Sequence, residues 1–285
     1  MAVLLDGKAL GALIRESVKR DVETIVRDAG VVPHLAVVLV GEDPASQTYV
    51  KSKENACRNA GIRSTVIREP SDVDEARLLS IIDGLNADPG VHGILLQLPI
   101  PKHLDPDRVI ARIDRGKDVD GFTPENVAAL SNGRPRLVPC TPRGVMRLLE
   151  HYQIPVAGRK CVVVGRSQIV GKPMAALLLN ANGTVTVCHS KTADLRAETQ
   201  RADILVVAIG KTRMIDGSYV KPGAVVIDVG ISKIDGVIAG DVDFASAEAV
   251  AGWITPVPGG VGPMTIACLL ENTIACCRGL LGGRP

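Results

Sequence analysis

The sequence predicts an α/β protein of two domains, each with a mostly parallel sheet flanked by helices. The chain has 285 residues, near the size at which one hydrophobic core gives way to two. Short apolar runs alternate with segments of helical length along the chain, a pattern typical of parallel strands covered by helices on both faces. An eight-stranded barrel is an alternative that fits this pattern less well.

An amphipathic helix is the first predicted element. Apolar side chains recur about every 3.6 positions over residues 10–25, and Gly30 follows them. Residues 34–40 form a continuous apolar run ending at Gly41, as expected of a strand buried on both faces. Similar runs predict strands near residues 64–68, 91–98, 160–164, 184–188, 203–209 and 224–229.

A proline-rich stretch over residues 132–142 separates the two sets of strands. It predicts a boundary between a first domain over residues 1–135 and a second, Rossmann-like domain over residues 136–265. A last apolar helix, about residues 266–285, follows the second set of strands. We expect this helix to pack back onto the first domain.

Charge and composition favour a small-molecule partner. The formal net charge is +2, and aromatic residues make up 2% of the chain. A basic face and stacking aromatics are therefore missing, which argues against a nucleic-acid partner. Asp6 and Lys8 interrupt the N-terminal apolar stretch, and no run approaches the roughly 20 apolar residues of a membrane span. A soluble protein without a targeting segment is expected.

The seven cysteines predict buried thiols rather than disulfides or a metal site. Their number is odd, they form no C-x-x-C pair, and most lie in apolar runs. This usage favours the reducing cytoplasm. No zinc ligand set is evident, so no metal is expected.

Residues 44–60 predict a helix that carries candidate catalytic groups. Asp43 suits the N-cap, Pro44 the first helical position and Gly61 the end of the helix. Tyr49 and Lys53 are four residues apart and therefore share a face. A phenol and an amine there would point to the space beyond the preceding strand, where ligands of α/β proteins bind. A solvated surface lysine is the plainer alternative.

Gln97 and Asp120 are two further polar candidates. Gln97 ends an apolar run, where a buried amide needs hydrogen-bond partners. It could hold a lysine or a substrate, or it could satisfy backbone groups alone. Asp120 lies in the acidic turn GKDVDGF. Acidic residues in turns usually have a structural role, which is the alternative to a ligand contact. An ionised carboxylate there would suit the two adjacent donors of an aminopyrimidine edge.

The segment KCVVVGRSQIVGKP predicts a phosphate-binding turn from a strand into a helix. Five residues separate Gly165 from Gly171, and Pro173 follows Lys172, so the Walker A pattern fails. Ser167 replaces the second glycine of the dinucleotide fingerprint, which leaves a modified dinucleotide loop.

The residues after the next strand favour NADP over NAD. Many NAD enzymes place a carboxylate there to bind the ribose hydroxyls. Here the strand is followed by His189, Ser190 and Lys191. Together with Arg166, these side chains would accommodate a 2'-phosphate.

Taken together, nine motifs resemble the bifunctional methylenetetrahydrofolate dehydrogenase/cyclohydrolase family. The motifs are PASQTYVKSK, GILLQLPIP, KDVDGF, PCTPRGV, VVGRSQIVGKP, CHSKT, IDVGI, GDVDF and TPVPGGVGPMT. The resemblance implies oxidation of 5,10-methylenetetrahydrofolate by NADP, followed by hydrolysis of the methenyl product to 10-formyltetrahydrofolate at the same site. It therefore places the chain in one-carbon metabolism.

The resemblance also implies roles for individual residues. Lys53 would transfer the proton of the hydrolysis, with Gln97 hydrogen-bonded to it. Tyr49 and Leu98 would contact the folate, and Asp120 would bind the pterin edge. The matching cofactor residues are Gly165, Arg166, Ser167, Ser190 and Ile231, and the matching residues of the last proline-glycine loop are Pro258, Gly259 and Gly260. The family further implies a homodimer formed through the dinucleotide-binding domain.

Two other functions stay open from the sequence. An NADP oxidoreductase of the shikimate-dehydrogenase type would also be a two-domain α/β protein, acting on a hydroxy acid. A nucleotide-sensing protein would bind the dinucleotide without turnover. Activity with methylenetetrahydrofolate separates the proposed enzyme from both.

Overall fold

The computed structural model describes residues 1–234 and 236–282. The elements in chain order are β1 (Val3–Leu4), α1 (Gly7–Ala29), β2 (His34–Val40), α2 (Pro44–Asn59), β3 (Arg63–Glu69), α3 (Glu75–Ala87), β4 (Gly93–Leu96), α4 (Pro106–Arg112), α5 (Pro124–Ser131), α6 (Cys140–His151), β5 (Lys160–Val164), α7 (Gly171–Asn180), β6 (Thr184–Cys188), α8 (Leu195–Thr199), β7 (Ile204–Val207), β8 (Val225–Asp228), β9 (Ser232–Ile234), β10 (Val237–Ala239), α9 (Phe244–Glu248), β11 (Trp253–Ile254) and α10 (Val261–Leu280).

The chain divides into two compact units, each with its own sheet. The large-sheet unit comprises Met1–Ala12 and Thr141–Ala267, and the small-sheet unit comprises Leu13–Cys140 and the C-terminal segment from Cys268. The latter half of α10 therefore belongs with the small sheet. There the Asn272 side chain donates to the carbonyl of Val119 at 2.7 Å.

The small sheet has three parallel strands in the order β3-β2-β4. All seven residues of β2 are buried, as expected of a central strand covered on both faces. The chain leaves β2 through α2 to reach β3 on one side, and then passes through α3 to β4 on the other side. This reversal of strand order beside β2 is where α/β proteins bind ligands.

The large sheet has six strands in the order β1-β11-β8-β7-β5-β6, and every adjacent pair is parallel. Strand β6 lies on one side of β5 and β7 lies on the other, so strand order reverses at β5. Strands β9 and β10 form a separate antiparallel hairpin. Two units of parallel strands and helices confirm the predicted fold class.

Bounds of several elements differ from the sequence prediction. Strands over residues 34–40, 160–164 and 184–188 have the predicted bounds, whereas the short strands β1, β9, β10 and β11 were not predicted. Two or three residues are too few to show a periodic pattern. The last helix starts at Val261 instead of residue 266 and ends at Leu280. Residues 283–285 of that prediction lie outside the described residues.

Three features of the part of the chain that the structure describes concern membrane-spanning helices, metal clusters and cysteines. Within the described residues, no helix combines the length and hydrophobicity that a membrane crossing demands. The same part of the chain holds no group of three His, Cys, Asp or Glu side chains arranged to hold a metal. All seven cysteines are described, and each is a buried thiol.

Candidate active site and dinucleotide site

Helix α2 begins and ends where the sequence predicts. The Asp43 carboxylate accepts the Ser46 backbone N–H at 2.7 Å, and Pro44 occupies the first helical turn. The helix ends at Ala60, and Gly61 follows with φ +77° in the left-handed region that glycine tolerates. These signals set the rotation and length of the helix that carries Tyr49 and Lys53.

Lys53 and Gln97 are in direct contact. The Lys53 Nζ donates a 3.0 Å hydrogen bond to Gln97 Oε1. Gln97 Nε2 donates at 2.7 Å to the carbonyl of Leu98, and Gln97 N donates to the carbonyl of Val38 in β2. Gln97 is 8% exposed, so its side chain is held by these partners rather than by solvent. The amide therefore presents its oxygen to the amine.

Tyr49 lies one helical turn before Lys53 on α2. Tyr49 is 44% exposed to solvent. Residues four apart share a helix face, so the exposed ring borders the half-buried amine. An exposed phenol beside a half-buried amine offers a stacking surface next to a hydrogen-bonding group.

Asp120 brings a carboxylate into the electrostatic range of Lys53. Burial raises the pKa of Asp120, the charge of Lys53 lowers it, and the charge of Asp118 raises it. Cys140 Sγ donates to Asp120 Oδ1 at 3.7 Å. The ammonium of Lys53 and a carboxylate in this position can act together on a polar ligand.

Asp118, two residues earlier, has a structural role. It is buried, and its Oδ2 accepts the Thr123 backbone N–H at 2.8 Å and the Asn126 amide at 2.9 Å. These bonds fix the turn that leads into α5. The two acidic residues of KDVDGF therefore differ in their surroundings, although the sequence makes them look alike.

Cys140 and Asn272 are two residues near Asp120 that the sequence analysis did not select. Asn272 donates to the carbonyls of Val119 and Val138 at 2.7 and 2.9 Å. It therefore holds the backbone just before Asp120 and just before Cys140. A contact between residues 153 positions apart leaves no signal in local sequence.

The turn after β5 has the close backbone approach that a phosphate loop needs. Gly165 has φ +124°, and a Cβ there would lie 2.2 Å from the carbonyl oxygen of Ala208. A Cβ on Gly171 would lie 2.2 Å from the carbonyl oxygen of Gly165. Only glycine fits at either position. The backbone is therefore bare where it enters α7, whose dipole favours an anion.

Ser167 explains the departure from the usual glycine fingerprint. Its Oγ accepts the backbone N–H groups of Val170 and Gly171 at 3.1 and 3.3 Å. The serine therefore organises the turn that starts α7. Arg166 and Ser167 are both exposed, which leaves the guanidinium available to a ligand.

The remaining predicted cofactor residues follow two other strands of the same sheet, β6 and β8. Gly165 N donates to the carbonyl of Cys188 at the end of β6, and Ser190 lies two residues beyond and is exposed. Ile231 follows β8 and is 46% exposed. Parallel strands bring their carboxyl ends to one edge. These residues therefore border one edge of the large sheet.

The last proline-glycine loop also belongs to the large-sheet unit. Gly259 has φ +111°, and its carbonyl accepts the Lys8 N–H at 2.8 Å. A Cβ on Gly260 would lie 2.6 Å from the carbonyl oxygen of Pro256. Pro258 is exposed at the tip of this loop. The loop is thus tightly folded and presents backbone to its surroundings.

The predicted residues therefore form two groups. Tyr49, Lys53, Gln97, Leu98 and Asp120 lie in the small-sheet unit. The second group lies in the large-sheet unit and consists of Gly165, Arg166, Ser167, Ser190, Ile231, Pro258, Gly259 and Gly260.

Comparison with known families accounts for both groups. The family model for the catalytic domain of tetrahydrofolate dehydrogenase/cyclohydrolase matches residues 5–120, and the model for its NAD(P)-binding domain matches residues 139–279. The chain belongs to the tetrahydrofolate dehydrogenase/cyclohydrolase family. This result confirms the predicted family, the class of enzyme and the nicotinamide dinucleotide cofactor.

Relatives of this tetrahydrofolate dehydrogenase/cyclohydrolase match over nearly the full chain. The bifunctional protein FolD of Bordetella petrii is 58% identical, covering 96% of this chain and 93% of the relative. That of Moorella thermoacetica is 55% identical, covering 97% and 99%.

Solved structures of the same family share the fold. The bifunctional FolD enzyme of Campylobacter jejuni is 49% identical with a TM-score of 0.96, covering 98% of this chain and 99% of that chain. The Trypanosoma brucei enzyme, solved with NADP cofactor and an inhibitor, is 37% identical with a TM-score of 0.94 and 98% coverage of both chains. A shikimate dehydrogenase of Peptoclostridium difficile is 12% identical with a TM-score of 0.51, covering 88% of this chain and 93% of that one. That likeness concerns the fold alone.

Proposed function

We propose that this enzyme oxidises 5,10-methylenetetrahydrofolate with NADP and hydrolyses the methenyl product to 10-formyltetrahydrofolate. The observation that carries the proposal is the 3.0 Å hydrogen bond between Lys53 Nζ and Gln97 Oε1 within electrostatic range of Asp120. These groups lie in the unit that carries most of the family's catalytic domain. Their chemistry suits proton transfer next to an anchored pterin.

Lys53 is the proposed proton-transfer group of the hydrolysis. Water adds its oxygen to the bridge carbon of the methenyl group, and one of its protons moves to Lys53 Nζ in the neutral state. The bond from the bridge carbon to N5 then breaks as the formyl C=O forms on N10, and N5 takes up the proton that the hydroxyl group of the adduct loses. Gln97 Oε1 accepts a hydrogen bond from Nζ and so orients the nitrogen toward the water.

Asp120, Tyr49 and Leu98 are the proposed folate contacts. Burial raises the pKa of Asp120 and nearby positive charge opposes this shift. In its ionised form the Asp120 carboxylate accepts hydrogen bonds from the aminopyrimidine N–H groups. The exposed Tyr49 ring provides an apolar surface for the folate. Leu98 holds the Gln97 amide through its carbonyl and lies beside the same space.

The large-sheet unit fits a dinucleotide with a 2'-phosphate. Gly165 and Gly171 keep the two ends of the loop free of side chains, Arg166 is exposed within the loop, and Ser190 is exposed after β6. Residues 189–191 contain no acid, so nothing there repels a phosphate. The nicotinamide, when bound, accepts the hydride of the folate bridge. The NADP bound by the Trypanosoma brucei relative supports this cofactor.

The loop containing Pro258, Gly259 and Gly260 is proposed to contact bound substrate. Its fold depends on the Gly259 conformation and on the bond from Lys8. Ile231 is proposed to contact the cofactor through its exposed side chain. The loop presents backbone without large side chains and Ile231 presents an apolar side chain, and both surfaces suit an uncharged ring.

Absorbance measurements test the two reactions separately. Methenyl formation is followed from methylenetetrahydrofolate with NADP and then with NAD. Decay of added methenyltetrahydrofolate is followed without cofactor. We expect both signals, with faster oxidation by NADP. Folded protein that binds NADP without either absorbance change would instead support a nucleotide-sensing protein.

We also propose that two copies associate through the dinucleotide-binding domain. Three exposed apolar side chains lie on and around the edge strand β6, which pairs on one side with β5. Leu179 is 62% exposed, Ile169 40% and Val187 39%. A second copy would cover such a surface. Light scattering should give a dimer mass, and Leu179→Asp should reduce it to that of one chain.

The boundary between the two domains is proposed to lie near residue 135. This position falls between α5 and α6, outside regular structure. Limited proteolysis should cut there before it cuts either sheet. We further propose a cytoplasmic location, which the buried thiol state of all seven cysteines supports. Fractionation of cells that express the chain tests this proposal.

A further inference from the structure

Two buried carboxylates in the large-sheet unit lie outside the groups described above. Asp228 is the last residue of β8, and Asp241 follows the hairpin of β9 and β10. Asp228 is 4% exposed and Asp241 is 0% exposed. A buried carboxylate is costly unless its oxygens accept hydrogen bonds, so the partners of each define its role.

Asp228 fastens the segment that leaves its own strand to the segment that follows the hairpin. Its Oδ1 accepts the backbone N–H groups of Gly230 and Asp241 at 2.9 and 3.0 Å, and its Oδ2 accepts that of Val242 at 2.9 Å. Both oxygens are thus used. A Cβ on Gly240 would lie 1.9 Å from Asp228 Oδ2, so the chain approaches this carboxylate too closely for any other residue.

Asp241 extends this connection to the neighbouring strand. A single oxygen, Oδ2, accepts the backbone N–H groups of Ile209 and Gly210 at 2.7 and 2.9 Å. These residues follow β7 and continue directly from Ala208, whose carbonyl lies against Gly165 of the phosphate loop. Two carboxylates therefore hold the loops after β7 and β8 in register with the phosphate loop.

The position of these loops indicates which half of the cofactor they border. The phosphate loop follows β5, and the proposed contact to the 2'-phosphate, Ser190, follows β6. A dinucleotide crosses the sheet edge at the reversal of strand order. Its adenosine half then lies toward β6, and its nicotinamide half lies toward β7 and β8 on the other side of β5.

We propose that Asp228 and Asp241 are positioning residues for the nicotinamide half of the cofactor. They hold Ile209, Gly210 and the segment up to Ile231 through backbone hydrogen bonds, and do not touch the cofactor themselves. This inference rests on the proposed function, because it assigns the side of the dinucleotide site on which the hydride is accepted.

Asp228 accepts hydrogen bonds with both carboxylate oxygens and Asp241 with one, so substitution by asparagine should affect the two positions differently. At Asp241 one oxygen accepts both N–H groups, so Asp241→Asn retains an acceptor and should keep KM for NADP within about twofold of wild type. Asp241→Ala removes the acceptor and should raise this KM about tenfold or more, because loop displacements of about 1 Å cost up to about 100-fold in rate. At Asp228 both oxygens accept, so Asp228→Asn should resemble Asp228→Ala.

Three readouts separate positioning from a general loss of structure. Asp241→Ala should leave hydrolysis of added methenyltetrahydrofolate within about twofold of wild type, because that step needs no NADP. The inhibition constant of 2',5'-ADP, which lacks the nicotinamide half, should also change less than about twofold. The ratio of NADP to NAD preference should stay constant. Asp243→Ala is the matched control, because its carboxylate caps α9 and should leave all three values and KM unchanged.

Other outcomes overturn the inference. An unchanged KM for NADP in Asp241→Ala removes the positioning role. An equal loss of oxidation, of hydrolysis and of 2',5'-ADP binding, with a lower unfolding temperature, assigns these carboxylates to folding alone. If Asp228→Asn does not fold, the comparison of KM for NADP between Asp241→Asn and Asp241→Ala still tests the positioning role. Absence of oxidation in the wild-type enzyme would instead contradict the proposed function.

Discussion

Lys53 Nζ donates to Gln97 Oε1 across 44 positions of sequence. The amine comes from the helix after β2, and the amide comes from the end of β4, two strands that are adjacent in the small sheet. Strand order reverses at this place, so two strand ends converge without any intervening element. The fold thus places the proposed proton-transfer group and the acceptor proposed to orient it at the same edge.

Lys53→Met should abolish the hydrolysis. Methionine has nearly the length of the lysine stem but cannot exchange protons, so the rate should fall by roughly 100-fold to 10,000-fold. Decay of added methenyltetrahydrofolate measures this directly. Lys51→Met is the matched control, since Lys51 is exposed on the same helix and lines a different groove. Hydrolysis by Lys53→Met at the wild-type rate would contradict the role assigned to Lys53.

Local signals in the sequence predicted the scaffold of the catalytic group. The apolar run of β2 and the Asp43 and Pro44 signals of α2 determine where this helix starts, and both are contained within a few residues. The residues by themselves left the partner of Gln97 open, and only the family resemblance implied Lys53, because amide and amine come together through sheet pairing. A buried amide in the sequence predicts that hydrogen-bond partners exist but does not identify them.

Longer-range features escaped prediction for the same physical reason. Strand β1 pairs with β11, although the partners Val3 and Trp253 are 250 positions apart and each strand has two residues. Asp228 and Asp241 look like ordinary turn acids in IDVGI and GDVDF. Their burial arises from the approach of Gly230 and Gly240, which only the folded chain makes visible.

Ser190→Asp should reverse the preference for NADP. The substitution places a carboxylate where NAD enzymes bind the ribose hydroxyls and where a 2'-phosphate would be repelled. We expect the ratio of kcat/KM for NADP to that for NAD to fall by about 100-fold. Ser218→Asp, at an exposed turn of the same unit, is the control. An unchanged ratio would exclude Ser190 from the phosphate contact.

Gly165→Ala should weaken NADP binding through steric overlap. The added methyl group would lie 2.2 Å from the Ala208 oxygen, at φ +124°, so the loop must move away from β7. KM for NADP should rise by at least about tenfold, with hydrolysis of added methenyltetrahydrofolate retained. Gly84→Ala is the control, because it lies in α3 with open space around it and should stabilise that helix by roughly 1 kcal/mol. Wild-type NADP kinetics in Gly165→Ala would contradict this account of the loop.

His34 and His92 should make the enzyme less stable to unfolding in mild acid. The two side chains are 5% exposed each, and His92 Nδ1 accepts the His34 backbone N–H at 3.1 Å. Burial lowers the pKa of both imidazoles below their usual 6.5, and the positive charge of Lys117 lowers that of His92 further. Below pH 6.5 the unfolded chain therefore binds protons that the folded chain does not, and the free energy of unfolding falls.

Urea unfolding at pH 7.5, 6.5 and 5.5 measures this effect, with His92→Gln as the comparison. Glutamine retains an acceptor for the His34 N–H but does not titrate, so the variant should lose less stability than wild type between pH 6.5 and pH 5.5. Asp228 acts in the opposite direction in the other unit. Burial raises its pKa to about 6, so its contribution grows as pH falls through 6. Wild type and His92→Gln share the contribution of Asp228, so it cancels when their changes in stability with pH are compared. Equal pH dependence of the two proteins would show that His92 is not a source of acid sensitivity.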